Sequence, residues 1–317
     1  MGNLDIQSYK TGDETAIGEL FAQSFLRSMP ASWWRWRFMD NPAGPGIIEL
    51  AWDGDVLAAH YAVTRVPMSV SGIDSLSGLS GTTMTHPDYR GLGLFPRLAT
   101  STYERMAESG ANMVWGFPNA NSHRGFVQNL SWVDIWEVPT LRQNVSEASI
   151  ATEPSDKVVE VFSFDERFDC LWEEVRSEYS VIVRRDSEYL TWRYSMNPTQ
   201  KYRILTYEDE GGLAGYAVFK RYRNELQVVD ILTIKDSTVG QQLISQIGRI
   251  ALQERAEEVS LWLNVTHPLH RTLEKLGFRN GDPVTYFGGL ILRPSILDDR
   301  VYDYRNWYIT MGDSDVY

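Results

Sequence analysis

"WRFMDNP" begins at Trp36 and "WRYSMNP" at Trp192, so the pattern Trp-Arg-aromatic-x-x-Asn-Pro occurs twice, 192 − 36 = 156 residues apart. The stretch after each copy is shared as well. "IIELAWDGDVLAAHYAV" reads as a strand, a turn at Asp53-Gly54 and a second strand, and "RILTYEDEGGLAGYAVF" repeats that hairpin around Gly211-Gly212. Further on, "MVWGFPNANSHRGFVQNLSW" (113–132) is matched by "SLWLNVTHPLHRTLEKLGF" (260–278): an apolar strand, a loop carrying Asn, a short helix, and a small residue before an aromatic. One such match arises easily by chance, whereas three in the same order confine the chain to two copies of one α/β unit. The 317 residues are ample for two domains. Their boundary falls near residues 143–157, where "QNVSEASIATEPSDK" is polar and aperiodic, giving halves 1–150 and 151–317.

Within the first copy, "GDETAIGELFAQSF" is helical by spacing, with Ile17, Leu20, Phe21 and Phe25 on one face. "SGLSGTTMT" is extended, and a helix is predicted from Leu94 to Ser109, with Phe95, Leu98, Thr102 and Met106 at helical spacing and Gly110 as its stop. The order helix, hairpin, strand, helix, strand, helix implies an α/β (α+β) fold: two tandem units, each a mixed and mostly antiparallel sheet flanked by helices.

Between the extended segment and that helix lies "THPDYRGLGLFPRLA", in which Gly91 and Gly93 follow Arg90. Glycines at a strand-to-helix junction let the backbone approach a ligand and point several N–H groups one way, and the first helical turn attracts phosphate. A pyrophosphate suits that place, with Arg90 and Arg97 adding charge-assisted contacts. The plain alternative is a turn whose glycines serve only their dihedrals. The spacing is not Gly-x-Gly-x-x-Gly and no Gly-Lys-Ser/Thr follows, so dinucleotide-binding and Walker loops are unsupported.

Composition removes other classes. A net charge of −12 argues against a nucleic-acid binder. A single cysteine, Cys170, excludes disulfide scaffolds and cysteine-cluster metal sites, and its apolar setting in "FDCLWEEV" predicts core packing. No His, Asp and Glu spacing suggests a metal. "MGNLDIQSYKTGDE" has no apolar leader core and no acylation pattern, and no run of about 18 apolar residues occurs, so the expectation is a soluble cytoplasmic protein without a membrane partner.

"MTHPDYRGLGLFPRL" resembles the acyl-coenzyme A loop of the GNAT acyltransferase superfamily, and "PNANSHRGFVQNLSW" looks like that family's later strand–Asn–helix element. The likeness spans roughly residues 80–133. It implies acyl-CoA as co-substrate, with its diphosphate on the backbone of Arg90, Gly91, Leu92, Gly93, Leu94 and Phe95. It also implies a pantetheine arm along Met84 and Thr85, touched by Asn119 or Asn121. Two departures stand out. Phe95 occupies the place of the family's last small residue, leaving less room at one phosphate contact. Val127 occupies the position where the family often has a tyrosine acid. In the second copy "DILTIKDSTVGQQLISQ" keeps Gly240 but lacks the arginine and its paired glycine, which implies a half that no longer binds coenzyme A.

The Trp-Arg elements, "VRRDSEYLTWRY" and "NWYITMGDSDV" resemble bacterial N-acyltransferases acting on nucleotide-linked amino sugars, which implies an amino-deoxy sugar carried on a nucleotide of the dTDP kind. Trp36 and Trp192, with Trp33 and Trp34, could stack a base or a pyranose, and Arg184 and Arg185 could hold a sugar diphosphate. The bland reading makes these tryptophans core anchors and pairs the arginines with Asp186 and Glu188. The reaction expected is direct attack of a neutral amine on the thioester, with a backbone N–H near Met84 facing the oxygen that gains charge. His123 and His60 are the first candidates for proton removal, ahead of His86, His267 and His270; solvent is the alternative. Two other readings stand beside this one: a peptide or protein acceptor, and an acyl-CoA-binding module without turnover.

Overall fold

The hairpin turns form where the glycines permit them: Gly54 and Gly212 sit at φ +59° and +110°, between strands whose inward faces are apolar. The computed structural model describes residues 4–147 and 153–317. The first half contains β1 (Asp5–Ser8), α1 (Glu14–Phe25), α2 (Ala31–Phe38), β2 (Ile47–Asp53), β3 (Val56–Val70), β4 (Ile73–Thr85), α3 (Leu94–Glu108), β5 (Met113–Gly116), α4 (Ala120–Leu130) and β6 (Val133–Asn144). The second contains β7 (Val158–Val161), α5 (Glu166–Val175), β8 (Val181–Val183), α6 (Ser187–Leu190), β9 (Arg203–Asp209), β10 (Gly212–Tyr222) and β11 (Glu225–Thr233). It continues with α7 (Ser237–Gln253), β12 (Glu258–Leu261), α8 (Pro268–Lys275), β13 (Arg279–Ile291) and β14 (Trp307–Tyr308).

The strands form one mixed sheet in the order β1-β2-β3-β4-β5-β13-β6-β12-β11-β10-β9-β7, with β8 and β14 off its path. Read from either end, that order repeats the same unit: four antiparallel strands, then a parallel neighbour reached through a helix. In the middle the halves exchange their last strands. β6 leaves the first half to pair with β12, and β13 returns from the second half to pair with β5, while β6 and β13 lie antiparallel to each other. Each exchanged strand covers the parallel edge of the opposite half, which would otherwise present open N–H and C=O groups. The polar stretch expected to separate the halves runs from within β6 to just before β7, and residues 148–152 of it lie outside the described residues.

The repeated tryptophans meet at the centre. Trp36 Nε1 donates to the carbonyl of Trp192 at 2.7 Å, Trp192 Nε1 donates to the carbonyl of Trp36 at 3.0 Å, and the rings stack 5.3 Å apart. Each repeated asparagine closes the same turn after its motif: Asn41 Oδ1 accepts from Ala43 N and Asn197 Oδ1 from Thr199 N. The two copies thus face each other across an approximate two-fold axis, with the tryptophans buried on it.

Candidate active site

The site begins where β4 parts from β5. Their parallel pairing ends at Leu79 opposite Trp115, yet β4 runs on to Thr85, so the strands splay and leave backbone edges facing a gap. On its other side β4 carries a bulge: the pairing steps from Ala62 opposite Gly81 to His60 opposite Met84, placing Thr82 and Thr83 against Tyr61 alone. Thr82 takes φ +55°, an unusual conformation for a β-branched residue. His60 secures it, its Nδ1–H donating to Thr82 O at 2.8 Å.

Beyond β4, Gly91 and Gly93 adopt φ of +80° and +70°, and α3 starts at Leu94 with Gly93 as a cap that has no side chain to offer. No backbone or side-chain acceptor meets the N–H groups of Gly91 through Phe95 among the described residues, so they form an open fan at a helix N-terminus. Arg90 and Arg97 stand exposed beside it and make no ion pair within the described chain. The Phe95 ring turns away from the fan to pack on Phe126 and Tyr61, and a Cβ on Gly125 would come within 3.0 Å of it. The bulk expected to crowd a phosphate is therefore spent in the α3–α4 packing. This set of donors fits a diphosphate.

The gap opens into a cavity of about 450 Å³. Ser80 to Thr83 of β4 form one wall and Gly116 to Asn119 the other. Phe21, Phe25, Met29 and Trp33 supply an apolar side, which explains why Phe25, placed on the buried face by spacing, is 42% exposed. The second half contributes Thr199, Gln200, Asp315 and Val316. Asp315 leans over Gly81 so closely that a Cβ there would lie 3.3 Å from its Oδ2. Burial raises this carboxyl above the ordinary carboxylate value, against the pull of Arg37 and Arg193.

A second polar feature reaches the cavity through Ser80. Trp132 Nε1 donates to Tyr103 Oη at 2.9 Å, Tyr103 and Tyr61 hydroxyls lie 2.7 Å apart, and Tyr61 Oη lies 2.7 Å from Ser80 Oγ. Trp132 can only donate, so the fully satisfied chain runs one way: Tyr103 donates to Tyr61, Tyr61 to Ser80, and the Ser80 proton is left for the cavity. Burial holds both tyrosines well above their ordinary value, against the pull of the Ser80 and Tyr103 hydroxyls on Tyr61, so they stay protonated.

Several residues singled out from sequence lie elsewhere. His60 has no solvent exposure, and burial lowers it to about 4; its Nε2 faces no partner, so it braces the bulge and does not reach the cavity. His123 bonds Asp134 at 2.7 Å and stacks on Tyr286 at 3.8 Å, on the face of α4 directed at β6 and β13. Trp36 and Trp192 spend their faces on each other. Arg185, 2% exposed, pairs with Asp230 at 3.1 Å and Asp313 at 2.8 Å inside the second half, and Arg184 pairs with Asp186 near Pro67. Neither arginine lines the cavity. Cys170 is exposed on α5, while its neighbours Phe168, Leu171 and Trp172 take the core positions. Met84 is buried under α1 and α2, leaving only its backbone toward the gap, and Thr85 follows it. Asn119 lines the cavity, but its Oδ1 is engaged capping α4 through Asn121 N and Ser122 N; Asn121 is exposed outside the lining. Sequence reasoning missed Asp315, Gly81 and the Ser80 chain, which no spacing connects. Among the described residues no group of His, Cys, Asp and Glu could hold a metal ion, and no helix is long and apolar enough to cross a membrane.

Residues 5–132 match the acetyltransferase (GNAT) domain family. None of the curated proteins compared with the chain matches it. Among solved structures it is similar to a "Probable N-Acyltransferase" from Enterococcus faecalis, with TM-score 0.72 and 11% identity over 92% of this chain and 73% of that one. A GCN5-related N-acetyltransferase from Anabaena variabilis gives 0.70 and 14% over the same shares. Saccharomyces cerevisiae N-myristoyltransferase, solved with bound myristoyl-CoA, gives 0.62 and 12% over 91% and 82%. At these identities the likeness establishes the fold, and it extends through both halves.

Proposed function

We propose that this chain, whose first half matches the acetyltransferase (GNAT) domain, is an acyl-CoA-dependent N-acyltransferase acting on a small amine. The observation that carries the reading is a carboxylate and an amide fan along one splayed strand: Asp315 over Gly81, and Gly91 to Phe95 beyond its end at Thr85. Acyl-CoA, when bound, supplies an activated thioester. The fan and Arg90 hold its diphosphate, with Arg97 at hand. The unpaired edge of β4 past Leu79 receives the pantetheine arm and turns backbone N–H groups toward the thioester oxygen as it gains charge. Asp315 takes the proton from the attacking amine, for which its raised affinity for protons suits it. Ser80, oriented by Tyr61, Tyr103 and Trp132, donates its hydroxyl proton to the departing sulfur and regains one from the solvent of the cavity it lines, which also takes up the proton Asp315 has accepted.

The cavity of about 450 Å³ suits the amine-bearing end of a small molecule. Of the holders the sequence assigned to a nucleotide-linked amino sugar, Arg185 and Trp192 are internal, Arg184 is paired with Asp186, and Trp36 lines only a small recess beside the cavity. Such an acceptor would keep its nucleotide outside the cavity. The test is thiol release from acetyl-CoA over a panel of amines, alongside calorimetric binding of coenzyme A. Binding that vanishes in Arg90→Glu, with thiol release that depends on the amine, supports the reading. Absence of both removes it.

A further inference from the structure

Arg37 and Arg193 are the same residue of the repeated motif, yet only one of them is served. Arg193, 2% exposed, donates to the carbonyl oxygens of Gly312 at 3.0 Å, Ser314 at 3.1 Å and Tyr317 at 2.6 Å. Arg37, 3% exposed, donates no hydrogen bond and makes no ion pair among the described residues, and its Nη2 is buried without a partner. Asp315 and Arg193 act on it only through space. Burial lowers it to about 10, so it remains a cation at neutral pH. An unpaired buried guanidinium is costly, and folded chains rarely leave one without a ligand to meet.

Arg37 lines a recess of about 40 Å³, with Trp33, Arg193, Asn197, Gln200 and Asp315 among its walls. That volume exceeds what one water needs and accommodates a planar carboxylate. The recess and the main cavity share Trp33, Thr199, Gln200, Asp315 and Val316, so they adjoin, with Asp315 in the wall they have in common. Two cations, Arg37 and Arg193, line the recess. Lys220, 5% exposed and bonded to Gln200, adds a third buried cation behind the wall, near the carboxylate of Asp315.

We propose that Arg37 is the anchor for a carboxylate carried by the acyl acceptor, so that the acceptor is an amino acid or a compound of that kind. Its amine meets Asp315 beside the thioester, and its carboxylate enters the recess and pairs with Arg37 through two N–H donors. The assignment rests on the transferase reading of the same site. It takes its shape from the second half, where the equivalent arginine already holds oxygen ligands supplied by the chain.

The experiment uses the full chain with acetyl-CoA and sets each common L-amino acid against its own carboxamide. Thiol release is followed, together with calorimetric binding of each compound to the chain loaded with coenzyme A. At least one acid should exceed its amide by on the order of 100-fold in kcat/KM or affinity, because the amide leaves Arg37 without its counter-charge. Arg37→Met should level acid and amide while keeping the affinity for coenzyme A. It should also keep or raise the melting temperature, since an unpaired buried charge gives way to an apolar chain. A structural arginine would lower it. Acid and amide used equally by the unaltered chain, or amines acylated while no amino acid is used or bound, would overturn the assignment and leave the transferase reading standing. Absence of both coenzyme A binding and thiol release with any amine would instead remove the reading beneath it. Should Arg37→Met fail to fold, the acid-to-amide ratio of the unaltered chain decides.

Discussion

At the start of α3 the capping residue is Gly93, which has nothing to offer the first-turn amides. At the start of α7 it is Asp236, whose carboxylate accepts from Thr238 N. The same junction of the same unit is therefore open in one half and closed by its own chain in the other. The motif arginines repeat the contrast, with Arg37 bare and Arg193 filled by the carbonyls of residues 312–317. A duplicated unit has two ways to satisfy the groups its fold leaves exposed: bind something, or supply a side chain. The first half leaves them open, and the second satisfies them with its own chain while contributing the cavity wall that carries Asp315.

Several substitutions sharpen or break that contrast. Asp315→Asn should have the largest effect, lowering kcat by about 10²- to 10⁴-fold, the usual range for loss of a general base. A carboxyl with a raised value accepts a proton only above that value, so in the unaltered chain kcat/KM should climb with pH through a midpoint above the ordinary carboxylate range. A pH–rate profile with that limb unchanged in Asp315→Asn would assign the proton to solvent. Its melting temperature should not fall, because the folded state holds this group less willingly as an anion than the unfolded chain does.

Gly93→Asp would close the first half in the manner of the second. Aspartate tolerates the left-handed backbone at φ +70°, so the chain should fold while its carboxylate occupies the fan. KM for acetyl-CoA should rise about 10- to 100-fold with kcat little changed, and Arg90→Glu should act in the same direction. An unchanged KM in both would remove the diphosphate from this turn. Ser80→Ala should lower kcat by roughly tenfold, with Tyr103→Phe smaller because the break is two hydroxyls away. Equal loss in both would make the chain a packing feature. Smallest of all, Asp236→Ala should cost about 1 kcal/mol in chemical unfolding and nothing in kcat.

Much of the fold is legible from residue pattern. The hairpins at Gly54 and Gly212, α3 stopping at Gly110, and the second-copy strand and helix β12 and α8 follow from periodicity and turn chemistry, which are local. The strand exchange is not legible. β6 and β13 have the same alternation whether they return to their own half or cross over, and the decision rests on edges that exist only once both sheets have formed. The amide fan is visible as Arg90-Gly91-Leu92-Gly93, because a helix terminus is made by adjacent residues. The proposed base is not: Asp315 is 234 positions from the Gly81 it leans over, as 315 − 81 shows, and histidine chemistry points to His60 and His123 in its place. Arg37 sits in plain view within its motif, but nothing local separates it from Arg193, and the tryptophan beside each is the more conspicuous residue.

The sequence by itself determined that one unit is present twice and that the first copy starts a helix with uncapped amides, since repeats, turns and caps are properties of neighbouring residues. Only the tertiary structure decided which carboxylate faces the gap, which tryptophans are spent on each other and which of two equivalent arginines is left without oxygen ligands. Those outcomes depend on desolvation and close approach between segments more than a hundred residues apart, and no local pattern encodes them.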